Sequence, residues 1–133
     1  MQLMAHESPV LNGDGTYSRD FTYVDNVVQV NQLAAIIENP EAVNQVYNVA
    51  CGGRLDLNEM TSVLKQELAK FDPAISAVEV INGPARIGDI PHSQADITKA
   101  LNLLGYEPTH SFREGIKEAA EWYFNNLTSG SGN

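Results

Sequence analysis

Short β-type runs alternate along this chain with helical stripes that carry their own caps. Parallel strands need such crossovers, so the alternation confines the fold to an α/β arrangement. The runs are Pro9-Val10-Leu11-Asn12, Phe21-Thr22-Tyr23-Val24, Val46-Tyr47-Asn48-Val49-Ala50 and Ala77-Val78-Glu79-Val80-Ile81, separated by Gly, Pro, Asn and Asp. Between them Asp25 stands at an N-cap position ahead of Val27, Val30, Leu33, Ala34 and Ile37, a helical stripe that Asn39-Pro40 stops. Asp56 and Glu59 have capping-box spacing and open a stripe of Met60, Leu64, Leu68 and Phe71, closed by Pro73. Asp96 caps a short helix carrying Ile97, Ala100, Leu101 and Leu104, and Gly105 suits its left-handed end. Ser111 and Glu114 form a second capping box before Ile116, Ala119, Ala120, Tyr123 and Leu127, with Trp122 expected to pack beside that stripe. The pattern predicts a small, mainly parallel sheet with flanking helices over residues 1–127. The small polar residues 128–133 read as a flexible tail.

Charge and cysteine usage narrow the partners. Seventeen acidic against eight basic side chains give a formal charge of −9, which repels nucleic acid and anionic lipid. No run reaches the ~20 apolar residues of a membrane helix, and the first residues lack the pattern of a signal peptide. The expectation is a cytoplasmic protein with neither nucleic-acid nor membrane partners. Cys51 is the single cysteine and reads as a small, partly buried apolar residue.

Several chemistries fail on spacing. The loop Asn12-Gly13-Asp14-Gly15-Thr16-Tyr17-Ser18 presents oxygen ligands at alternate positions, but a calcium loop needs glycine where Tyr17 stands and glutamate where Tyr23 stands. His6, His92 and His110 have no His or Cys partner at ligand spacing, so no metal site is expected. There is no G-x-S-x-G nucleophile elbow. Gly13-Asp14-Gly15 leads to an extended run and not a helix, so it is not a dinucleotide fingerprint. No tyrosine has a lysine four positions later, the proton-transfer pair that a short-chain dehydrogenase needs. No catalytic residue is assigned, and no cofactor is expected to bind this chain alone. Two arginines remain, Arg19 and Arg86, each near turn residues and an aspartate. A planar guanidinium suits phosphate oxygens, and equally suits a surface ion pair with Asp20, Asp25 or Asp89.

An ordered series of motifs decides between those readings. Asn-Gly-Asp-Gly at 12–15, Ser-Arg-Asp-Phe-Thr-Tyr-Val-Asp at 18–25, Tyr-Asn-Val-Ala at 47–50, Arg-Ile-Gly-Asp at 86–89 and Ala-Asp-Ile-Thr-Lys-Ala at 95–100 resemble the extended short-chain dehydrogenases of the NAD-dependent epimerase/dehydratase family. Within it they are most similar to UDP-glucose and UDP-N-acetylglucosamine 4-epimerases, over the C-terminal, substrate-binding portion. The resemblance implies that Arg19 and Arg86 grip a UDP diphosphate and that Asp89 accepts from the ribose hydroxyls. It also implies that the backbone of Val10 to Asn12 pairs with uracil. By the same resemblance Ser93 stands where, in 4-epimerases, a bulky aromatic would exclude a 2-acetamido group, which implies that N-acetylhexosamines are accepted; it could also simply help cap the following helix.

In an intact relative the resemblance implies reversible oxidation at the sugar C4 by NAD, rotation of the 4-keto sugar and return of the hydride. The NAD-binding half, with its glycine-rich turn and Tyr–Lys pair, is expected to be missing here. The chain then reads as the UDP-sugar-binding part of such an enzyme, inactive alone and prone to self-associate through the face the other half would cover. Two other readings stand beside it: a stand-alone nucleotide- or protein-binding domain, and a fragment without function.

Overall fold

The computed structural model describes residues 1–127, and the expected tail lies outside the described residues. The elements run β1 (Val10–Asn12), β2 (Ser18–Arg19), α1 (Val24–Ile36), β3 (Leu55–Asp56), α2 (Leu57–Leu68), β4 (Ile81–Gly83), α3 (Thr98–Leu104) and α4 (Phe112–Leu127). Short 3-10 helices occupy Leu3–Ala5 and Pro73–Ala77. β1 pairs in parallel with β4, Val10 opposite Ile81 and Asn12 opposite Gly83, while β2 pairs with β3. The α/β layout with a small parallel sheet and flanking helices is therefore the one the alternation required. Among the described residues no helix is long and apolar enough to cross a membrane.

Contacts divide the described residues into two compact units: Met1–Ser18 with Leu55–His92 and residues 116–127, and Arg19–Arg54 with Ser93–Gly115. In the first, Leu3, Leu68, Ile75, Val78 and Ala120 form the core, with Met4 and Leu64 packed against it. In the second, Val30, Ala42, Ala100, Leu104 and Tyr106 do so, joined by Leu33, Ile37, Tyr47 and Val49.

The local signals translate directly. Asp56 accepts from Glu59 N–H at 2.7 Å and starts α2. Glu114 accepts from both the Ser111 N–H and hydroxyl, at 2.8 and 2.6 Å. Gly105 ends α3 in the left-handed region.

The strand positions are shifted. Phe21-Thr22-Tyr23 and Val46–Ala50 are extended or irregular without a ladder, and the fourth run gives a 3-10 turn before β4 begins at Ile81. A run becomes a strand only where a neighbour satisfies its N–H and C=O groups, and alternation alone does not supply one. The facing of the third run survives this: Tyr47 and Val49 turn into the core while Val46 is exposed.

Four caps and packings also differ. Tyr23 is the N-cap of α1 and Asp25 lies in its first turn, where its charge still complements the helix dipole. Ile97 is the N-cap of α3, with Asp96 one position earlier accepting from Thr98 N–H at 2.9 Å. Trp122 is 58 % exposed and meets Tyr123 edge-on, so it is not core packing. Phe71, beyond the end of α2, stacks on Phe124 with centroids 5.0 Å apart.

Candidate functional site

In the first unit, the β1–β4 pair brings two motifs together that are about 70 residues apart in the chain. Gly13 N–H reaches the carbonyls of Gly83 and Pro84 at 3.1 and 3.3 Å, tying the turn after β1 to the start of the loop that carries Arg86 and Asp89. Pleating sorts the β1 side chains: Leu11 lines an apolar cavity of about 500 Å³ with Met60, Leu64 and Ala120, while Val10 and Asn12 are exposed. Gly83 leaves no room for a side chain, since a Cβ there would stand 2.8 Å from Val10 Cγ1. In the loop, Asp89 N–H donates to Arg86 O at 3.2 Å, closing a turn through Gly88 at φ +80°. That turn sets Arg86 and Asp89 at its two ends, with Arg86 exposed and Asp89 half-buried. Val10, Asn12, Arg86 and Asp89 thus belong to one folded unit.

Arg19 and Ser93 belong to the second unit. The carboxylate of Asp20 accepts from Cys51 N–H at 3.1 Å and from Ala95 N–H at 3.4 Å, so this acid is engaged by backbone amides. Gln94 donates to Gly52 O at 2.6 Å, holding the Ser93 segment against the same chain turn. Cys51 lies beside Asn26, whose amide points to its sulfur at 3.4 Å, and burial pushes the thiol pKa up. That environment disfavours the reactive thiolate.

The glycine-rich turn does not fit a cofactor pyrophosphate. Asp14 Oδ1 accepts from Thr16 N–H and hydroxyl at 3.0 and 2.6 Å, which places a carboxylate on the amide a phosphate would need. These bonds hold the Asp14 carboxyl below the usual range, so the negative charge persists. The turn then continues to β2 and not to a helix N-terminus.

Sequence reasoning missed Ser18 and His92, whose side chains meet at 2.9 Å. It also missed Asn26, fully buried at the centre of a polar network. Asn26 carried a readable signal, since it falls on the face of α1 with Val30, Leu33 and Ile37. The Ser18–His92 contact links residues 74 apart and leaves no local trace.

Comparison with known proteins agrees with this architecture. A family profile described as GDP-mannose 4,6 dehydratase matches residues 1–119. The chain belongs to that family, within the extended short-chain dehydrogenases of the NAD-dependent epimerase/dehydratase type. A UDP-glucose 4-epimerase from Thermotoga maritima, solved with UDP-glucose, is 34 % identical with a TM-score of 0.80, covering 95 % of this chain and 38 % of its own. A UDP-N-acetylglucosamine 4-epimerase from Methanobrevibacter ruminantium, in complex with UDP-N-acetylmuramic acid, gives 33 % and 0.79, covering 92 % and 36 %. A UDP-glucuronic acid 4-epimerase from Bacillus cereus, in complex with UDP-glucuronic acid and NAD, gives 26 % and 0.77, covering 95 % and 38 %. The chain spans 37 % and 36 % of the length of the first two curated relatives it matches.

Proposed function

We propose that this chain is the UDP-sugar-binding part of a nucleotide-sugar 4-epimerase of the UDP-N-acetylglucosamine type, with residues 1–127 as its substrate-binding region. The observation that carries the reading is the tie between Gly13 and the carbonyls of Gly83 and Pro84. It makes the exposed edge of β1 and the Arg86-to-Asp89 turn parts of one scaffold. On that scaffold the backbone of Val10 to Asn12 reads the uracil, Asp89 accepts from the ribose hydroxyls, and Arg86 meets the diphosphate. In the second unit Arg19 supplies the other cation, and Ser93, small and exposed, leaves space for a 2-acetamido group. The NAD-binding and catalytic half lies outside this chain, NAD belongs to the intact enzyme, and the isolated chain is cytoplasmic and inactive.

α1 supports a second proposal, self-association. The expected surface is the face the other half would cover, and Val24, Val28 and Ile36, 59, 45 and 73 % exposed on α1, leave apolar area open to such a contact. Light scattering across a dilution series tests it: a mass that falls with dilution is expected, and a constant monomer mass refutes it.

Amide shifts followed during titration with UDP and UDP-N-acetylglucosamine test the binding reading. Perturbations clustered at residues 10–13, 19, 86–89 and 93 are expected. Shifts confined elsewhere would favour a different ligand, and no shift with either would leave a fold without this function.

A further inference from the structure

Arg19 sits between two residues that are both fastened to the segment carrying Ser93. Ser18 is 6 % exposed and forms an isolated parallel bridge with His92. Its N–H donates to Pro91 O at 2.9 Å, and its hydroxyl lies 2.9 Å from His92 Nδ1. Two positions on, Asp20 accepts from Ala95 N–H. Successive side chains of an extended chain face opposite ways. Ser18 and Asp20 therefore share the fastened face, and Arg19 is turned to the other. Carried across the bridge, the same alternation puts His92 and Gln94 on the fastened face, where Gln94 reaches Gly52, and Ser93 on the face of Arg19.

We infer that the Ser18–His92 pair is a register lock that positions Arg19 beside Ser93. The bridge itself is a weak determinant of this register. Pro91 has no N–H, so the ladder cannot extend upstream, and one bridge specifies register weakly. A slip by one residue would turn Ser93 to the wrong face of the ribbon. The side-chain bond removes that freedom, since the Ser18 hydroxyl can meet an imidazole nitrogen at position 92 and finds none at 91 or 93. His92 acts through Arg19 and Ser93, as a positioning residue. Its consequence for ligand binding rests on the UDP-sugar reading; the lock itself does not.

The experiment compares His92→Asn, His92→Phe and Ser18→Ala in the full chain, first without ligand and then titrated with uridine and with UDP. The carboxamide of Asn can place a nitrogen or oxygen near the position of Nδ1, whereas Phe keeps the ring and loses the polar atom. Without ligand, the Phe and Ser18→Ala variants should move the amide signals of Arg19 and Ser93 while those of Ile75 and Tyr106 stay, and Asn should restore them. With ligand, those two variants should weaken UDP binding about tenfold, the scale of one charge-assisted hydrogen bond, and leave uridine binding unchanged. Unmoved Arg19 and Ser93 signals in ligand-free His92→Phe would overturn the lock, as would uridine and UDP weakening together. If the wild-type chain binds no UDP, the UDP-sugar reading fails, and the ligand-free comparison still decides the lock.

Discussion

The carboxamide of Asn26 grips both backbone groups of His110: its Nδ2 donates to the carbonyl at 2.8 Å, and its Oδ1 accepts the N–H at 3.1 Å. Oδ1 also accepts from Thr109 N–H at 2.9 Å. The side chain thus works as a one-residue strand, fixing an irregular segment against α1 with none of its own surface exposed. Asn26→Leu keeps the number of side-chain heavy atoms, adds bulk, and removes the carboxamide from three backbone groups, of which the His110 carbonyl retains the Cys51 thiol at 3.4 Å. The cost of each unsatisfied buried group is ~1–3 kcal/mol, so a loss of about 3 kcal/mol is expected with partial relaxation. Urea unfolding measures it, and a loss under about 0.5 kcal/mol would show that the network is dispensable.

Gly115 tests packing against propensity. In a helix Gly→Ala ordinarily gains up to ~1 kcal/mol. Here a Cβ would stand 2.6 Å from both Cβ and Cγ of Tyr23, atoms that cannot swing aside. Overpacking costs ~1–3 kcal/mol, so Gly115→Ala should destabilise. Gly53→Ala, whose Cβ meets nothing within 4 Å, serves as the control and should be close to neutral.

Acid stability should depend on the second capping box. The Ser111 hydroxyl, then its N–H, hold the Glu114 carboxyl below its ordinary value of 4.5. A depressed folded pKa stabilises fully above the unfolded value, and that stabilisation is lost as pH falls through the folded pKa. Ser111→Ala should raise the Glu114 titration midpoint and remove part of the acid-side slope. Carboxyl carbon shifts report the midpoint, and an unchanged value in the variant contradicts the assignment.

Cys51 should resist thiol reagents. Burial raises its pKa first, and the nearby Asp20 charge adds to it, so little thiolate forms near pH 8. Reaction with a disulfide reagent should be slower than for a free small thiol and should recover on unfolding. A rate at or above the small-thiol value would contradict this environment.

Legibility followed locality. Asp56 with Glu59, and Ser111 with Glu114, were readable because a capping box closes within four residues. Gly105 was readable because a left-handed position selects it. The strand positions were not, since pairing is decided by chain distant in sequence; β1 pairs with β4 across residues 10–12 and 81–83. Trp122 misled because a residue beside an apolar stripe is core only if a neighbour covers it, and it is 58 % exposed. For the site, motif order alone marked Arg86 and Asp89, and the turn through Gly88 now gives that spacing a physical basis.

The central claim, that Arg86 holds the diphosphate of a UDP-sugar, is tested most directly by calorimetric titration of UDP into the wild-type chain and Arg86→Ala. A hydrogen bond to a charged group contributes ~1.5–3 kcal/mol, which predicts that the variant binds roughly 10- to 150-fold more weakly. Equal affinity in the two proteins would contradict the account.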